Sequence, residues 1–223
     1  MFVGHYSASL VARRIAPQLP LWALLLAAQL VDIAWAAFVL LGIENVRIVP
    51  GHTATNPLDL YHMPYTHSLP AALLWSGAAG LLVWAAMRRA QPAAATRLGF
   101  VLGAVVLSHW LLDLVVHVPD LPLWGDRHKV GLGLWNHVVL ATALELLLLV
   151  GAALWLRADR AAWRRAGGGA LGVFVGVLAL FHAANLFAPL PPSVVAVGFS
   201  GLAVYLLVAA VGYWLERRRR ERR

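Results

Sequence analysis

Apolar residues gather into six long runs, Leu19 to Gly42, Leu69 to Met87, Leu98 to Val118, Leu134 to Leu156, Ala170 to Phe187 and Val194 to Leu215, with short polar stretches between them. A hydrocarbon core about 30 Å thick is crossed by roughly 20 helical residues, so each run predicts a transmembrane helix and the expected fold is an all-α polytopic membrane protein. The first run exceeds the about 7 to 15 residues of a cleaved signal core and carries Asp32 inside it, so it is expected to remain as a span. Residues Met1 to Ala16 are too few to span, yet Phe2, Val3, Leu10, Val11 and Ile15 make them too apolar to float free. Two placements are open. A helix can climb from Arg13 and Arg14 at the surface to mid-membrane, with protein covering its free N–H groups, or an amphipathic helix can lie flat on the inner surface. Between spans, the stretch Ile43 to His67 holds Pro50, Gly51, Pro57 and Pro64, which argue against a regular element there.

Composition agrees: 61% hydrophobic and 13% charged residues, with mean hydropathy +0.74, exclude an ordinary soluble domain, of which about 25% would be charged. The chain is expected to form a single transmembrane domain over residues 1–223, its first 137 residues holding the candidate chemistry and residues 138–223 adding spans and a basic tail. The net charge of +8 raises the question of nucleic acid, but position decides it. All Lys and Arg except Arg47, Arg127 and Lys129 fall on one side of the expected spans, the run Arg217 to Arg223 included. By the positive-inside rule both termini are then cytoplasmic, and the tail is a topology signal with membrane lipids as its neighbours.

The candidate chemistry centres on Ser108 to His117. His109, Asp113 and His117 recur every four residues, about 40° apart around a helix, and so share one face. A carboxylate in hydrocarbon costs about 2.5 kcal/mol or more without a partner, so such a ladder predicts either a functional site or a pair of helix residues satisfying each other. Imidazoles and carboxylates are divalent-metal ligands, and a chain without cysteine has no thiolate to offer in their place. At about 1.5 Å of rise per residue, Asp32, His109, Asp113, Glu145 and His182 all lie about 18 to 24 Å from the cytoplasmic ends of their runs. His5 joins that level if the N-terminal helix enters the membrane, and His67 joins it if the first outer loop dips inward, while His137 starts the fourth run from outside. His52 and His128, taken singly, suit solvated loop positions. Gly168, Gly172 and Gly176 suggest a close helix-packing face, and Trp22, Trp75, Trp124, Trp135 and Trp214 suit an aromatic belt.

In order along the chain, Gly4-His5, Asp32 after an apolar run, His62 with Thr66-His67-Ser68-Leu69, and Ser108-His109 followed by Asp113 resemble the YdjM-like group of bacterial inner-membrane proteins, assigned as metal-dependent hydrolases. The resemblance covers about residues 1 to 125. It departs at Val31-Asp32-Ile33-Ala34-Trp35, where the family tends to carry a Pro-Asp-x-Asp-His run. The order of ligands is also similar to that of zinc-dependent phospholipase C. These resemblances imply a zinc or other divalent site of Asp32, His67, His109 and Asp113, with His5 beside Asp113 serving a second ion and His117 and His137 candidates for a third. Position 141 is Ala141 where a further carboxylate is expected, so one or two ions are the expectation. The implied activity is hydrolysis of a phosphoester or lipid-linked substrate from the outer face of a bacterial inner membrane. His62 and Lys129 are the candidate catalytic groups, and Arg127 and His128 are placed to attract an anionic headgroup. Two other readings stay open, a proton or metal-ion carrier using the buried acids and histidines, and a scaffold whose histidines only bridge helices.

Overall fold

The computed structural model describes residues 1–221, so Arg222 and Arg223, the last of the basic tail, lie outside the described residues. A 3-10 turn, Val3–His5, leads into α1 (Tyr6–Ile15), followed by α2 (Leu21–Ala28), α3 (Leu30–Leu40), α4 (Leu69–Met87) and α5 (Pro92–Val116). After these come α6 (Val138–Ala158), the short α7 (Arg160–Arg165), α8 (Gly169–Asn185) and α9 (Val194–Glu221). Four helices, α4, α5, α6 and α9, are long and apolar enough to cross a membrane, and the pair α2 and α3 makes a fifth candidate if it counts as one bent span.

Two of the six expected spans are therefore altered. The run Leu19 to Gly42 is broken at Gln29 by a 56° bend, at a buried amide that donates from Nε2 to the Phe2 carbonyl at 3.1 Å. A side chain drawn into a tertiary contact at such a point is a recognised origin of a kink. The fifth run yields α8, whose 17 residues reach about 26 Å and fall short of a full core thickness.

The outer stretches are more regular than expected. β1 (Asn45–Ile48) pairs antiparallel with β2 (Leu58–His62), and β3 (Leu121–Trp124) with β4 (Arg127–Val130). Pro50 and Pro57 fall in the connection rather than in a strand, while Val46 and Leu60 turn into the core. The all-α expectation thus holds for the spans and fails for these two hairpins.

Packing builds two apolar cores. The inner one joins Leu10, Leu24, Leu98, Leu102, Leu149 and Leu156; the outer one joins Trp35, Met63, Trp110, Leu121 and Trp135. Along α5 the first ends at Val106 and the second begins at Trp110, which leaves His109 at the seam. The tightest helix pair is α4 with α5. A Cβ on Gly80 would lie 2.9 Å from the Gly99 carbonyl oxygen, and one on Gly99 would lie 2.7 Å from that of Gly80, so only glycine admits this approach. The expected glycine face on α8 does no such work: a Cβ at Gly168 or Gly176 would meet nothing within 4 Å, and at Gly172 it would rest on the Trp163 ring.

The N-terminal helix is packed among the other helices. α1 packs against α2, α5 and α6, with Val3, Tyr6 and Leu10 buried. Its C-terminal end is held by arginines, as helix carbonyls favour. Arg13 pairs with Glu216 at 2.9 Å, Arg14 donates to the Trp155 carbonyl at 2.7 Å, and Arg97 donates to the Ile15 carbonyl. At its other end Glu145 of α6 accepts from the Phe2 and Gly4 N–H groups at 2.8 and 3.1 Å, which supplies the cover that free N–H groups inside apolar surroundings require.

Candidate metal centre

Asp32, four residues beyond Ala28 across the α2–α3 bend, and the α5 ladder meet His5 from the N-terminal turn and His67 from the start of α4. Asp32 Oδ1 lies 3.4 Å from both His67 Nε2 and His109 Nε2. Asp113 Oδ2 is 3.1 Å from His109 Nε2 and 3.8 Å from His67 Nε2. On its other oxygen, Asp113 Oδ1 faces the Met1 ammonium at 2.6 Å, His5 Nε2 at 3.2 Å and His117 Nε2 at 3.7 Å. His5 and His109 stack almost parallel with ring centroids 3.7 Å apart. Every one of these imidazoles is buried, as is Asp113.

The outer nitrogens of three rings settle which way the inner ones point. His109 Nδ1 contacts the Ala28 carbonyl at 2.8 Å, and a carbonyl only accepts, so Nδ1 carries hydrogen. His117 Nδ1 meets Asp120 Oδ1 at 2.8 Å, with the same consequence. His67 Nδ1 meets Thr66 Oγ1 at 2.8 Å, and that hydroxyl gives its single proton to Glu44 Oε2 at 2.6 Å, so it must accept from His67. A ring in its neutral form would therefore turn a bare Nε2 lone pair towards carboxylate oxygens. Lone pair against lone pair is repulsive unless a cation or extra protons stand between them. Among the described residues, His109 Nε2 and both nitrogens of His5 have no hydrogen-bond partner.

A metal fits this arrangement. An ion bonded at about 2.1 Å to tetrahedral ligands holds them about 3.4 Å apart, which is the separation of Asp32 Oδ1 from the two imidazole nitrogens. Asp32, His67 and His109 form one group whose donor atoms all lie within 4.8 Å of one another; His5, His109 and Asp113 form a second that shares His109. Imidazoles whose other N–H is tied to a carboxylate or carbonyl are the usual surroundings of a ligating histidine. Tyr205 adds to this shell, donating to Asp32 Oδ2 at 3.1 Å from α9, and the Trp110 indole donates to the His67 carbonyl at 2.9 Å.

A 710 Å³ cavity meets the cluster from one side, with Asp32, His67, Asp113 and His117 in its wall. Glu145 and His182, expected at the same depth, also line it but do not join the groups of donor atoms; they face each other at 3.9 Å while Glu145 holds the N-terminal turn.

Other sequence candidates lie apart. His137 is exposed at the start of α6, because Gly133, at φ 73°, and the 3-10 turn Leu134–Asn136 place Trp135 against His117 instead, with ring centroids 4.3 Å apart. Trp135 is accordingly a wall of the centre and not a belt residue. His62 meets Asp126 at 2.9 Å and Lys129 meets the same carboxylate at 3.1 Å, so the two tie the hairpins together without lining the cavity. Arg127 and His128 are exposed at and beside the turn of the second hairpin and do not line the cavity either.

Glu44, the Ala28 carbonyl and Tyr205 escape sequence reasoning. Glu44 stands alone at the end of an apolar run, a carbonyl leaves no trace in residue type, and Tyr205 sits in a span with no other titratable side chain near it. No family model, no curated protein and no solved structure matches the chain.

Proposed function

We propose that the protein is a membrane-embedded metal-dependent hydrolase of a phosphoester, its site opening towards the outer face of a bacterial inner membrane. The observation that carries this reading is the convergence of three imidazole Nε2 atoms, fixed from behind, on the buried Asp113 and the half-buried Asp32. The resemblance to the YdjM-like group and to zinc-dependent phospholipase C supports it, and the basic residues on one side of the spans support the orientation.

Asp32, His67 and His109 would hold a divalent ion such as zinc, with Asp113 bridging towards His5. Such an ion supplies a water of lowered pKa and polarises a phosphoryl oxygen. His117 does the proton work: its ring is aimed by Asp120 through Nδ1 and packed on Trp135, and it lines the cavity. It is placed to take a proton from an attacking water and return it to the leaving oxygen. Arg127 and His128 contribute long-range attraction for an anion rather than contact. A carrier would need a polar route to the inner face. On that side Ser9 is engaged with the Leu24 carbonyl and Arg13 with Glu216, and neither lines the cavity.

Purified protein should contain stoichiometric divalent metal and cleave a chromogenic phosphodiester, with activity lost to a chelator and restored by zinc. Protein that takes up no metal, or cleaves the ester equally well in chelator, would overturn the reading.

A further inference from the structure

The helices α8 and α9 are consecutive in the chain but make almost no contact with each other: α8 packs on α6 and the N-terminal turn, and α9 packs on α2 and α3. A close approach lies just before α8, where a Cβ on Gly167 would lie 3.3 Å from that of Leu215 in α9. Nearer the outer end they stand apart, and the cavity occupies the space. Its wall includes Phe181 and Asn185 of α8 and Ser200 of α9, all three with exposed side chains. Deeper in, the wall becomes apolar with Val197, Gly201 and Val204, and the Phe2 ring stands between Phe181 and Tyr205 at 5.8 and 6.3 Å. Residues between Leu186 and Pro191 and between Gly51 and Pro57 also contribute to the wall. The gap on this side is bounded by two apolar helices, of which α9 is long enough to span.

Resting on the hydrolase reading above, we propose that the substrate is a bilayer lipid bearing a phosphoester headgroup, which enters sideways between α8 and α9. Its hydrocarbon chain lies along Phe181, Val197 and Val204, and its phosphate reaches Asp32, His67 and Asp113. A water-soluble phosphoester gains nothing from such walls, whereas each methylene of a chain moved from water into them contributes about 0.8 kcal/mol. For a chain already in the bilayer that gain is absent. The gap then acts by shape, admitting a chain without lifting it into water.

The test uses the full chain in lipid nanodiscs containing phosphatidic acid with a photoactivatable diazirine midway along one acyl chain. Adducts are mapped by mass spectrometry, and metal content is measured on the same samples. Adducts should concentrate on α8 from Phe181 to Asn185 and on α9 from Val197 to Val204, above those on the lipid-facing Leu73, Leu74, Leu81 and Leu82 of α4. Ser200→Trp, at an exposed position in the opening, should lower the α8 and α9 adducts severalfold and leave those on α4 unchanged. Val204→Trp is a second, deeper block. Wild-type adducts on α8 and α9 no denser than on α4, or undiminished in both variants, would overturn the lateral route. Adducts in the cavity of metal-free protein would support the route and sink the hydrolase reading alone; bound metal with no adducts there would do the reverse.

Discussion

The molecule contains two clusters of histidine and aspartate, and their residue types are nearly the same. At the outer surface His62, Asp126 and Lys129 close on themselves. One carboxylate takes a ring nitrogen and an ammonium, and Lys129 Nζ also donates to the Tyr61 carbonyl, so the charges are balanced without help. Inside, the partners of His67, His109 and His117 all lie on the outer nitrogens, so the inner nitrogens are left facing carboxylates. What distinguishes a candidate metal centre from a structural clip is therefore not the list of residues but the side of each ring on which the hydrogen bond is made. Water can repair an imbalance at the surface. In the interior an uncompensated group costs several kcal/mol, and the Met1 ammonium meets only Asp113 Oδ1, so the imbalance that is left calls for a cation or extra protons.

Breaking that contrast at its centre gives the largest effect. His109→Ala and Asp113→Asn should each reduce bound metal in purified protein to background while the chain still inserts, whereas His62→Ala and Lys129→Ala should leave the metal content at the wild-type level. Elemental analysis of the four variants decides this, and equal metal in all of them would remove the distinction. A smaller effect is expected one bond further out. Thr66→Val cuts the link between His67 and Glu44 and should weaken metal binding about 10- to 100-fold in a competition titration against a chelator. Tyr205→Phe deletes one hydrogen bond to the Asp32 carboxylate, worth about 1.5 kcal/mol, so about a tenfold loss of affinity is expected. A loss on Tyr205→Phe larger than that on Thr66→Val would reverse the order of importance given to the two supports.

Smallest is the surface clip. Asp126→Ala should cost at most about 1 kcal/mol in thermal unfolding at neutral pH, with no change in metal. Partial burial pushes the Asp126 carboxyl up, but the His62 ring and the Lys129 ammonium outweigh it and hold the group below the usual carboxylate range. With the folded value depressed, the stabilisation is present above the unfolded value of about 3.9 and fades as pH falls through the folded one. Wild type and variant should therefore converge in acid. A difference that instead grows on acidification would contradict the pairing.

Sequence periodicity located the α5 ladder, because i, i+4 spacing is a local property and no distant contact is needed to see it. The level of Asp113 was also legible, since rise per residue converts position into depth, whereas His5 joined it under only one of the two placements open to the N-terminal helix. Glu145 illustrates the limit of that conversion. It lies where depth counting puts it, yet its oxygen is spent on backbone N–H groups of the N-terminal turn. The bend at Gln29 was missed since no Pro or Gly interrupts Leu21 to Leu40, and a lone amide in an apolar run was the available sign. Gly99 and Gly103 carry the same four-residue spacing as the glycines of α8. Spacing alone did not say which pair meets a partner backbone, because closeness belongs to two helices and spacing to one.

The close approach of α4 and α5 bears on the order in which the centre assembles. The two helices are neighbours in the chain, joined by a short turn, so the contact between Gly80 and Gly99 closes only a small loop and is reached early. That helical hairpin already carries His67 just before one end and His109, Asp113 and His117 towards the other. Most of the donor set is thus gathered in a single insertion unit, before α1 and the bent α2–α3 pair deliver His5 and Asp32. If the centre holds an ion, one captured at that stage would keep the half-built centre open for the last two ligands, and metal supply during synthesis would then bear on how much native protein forms.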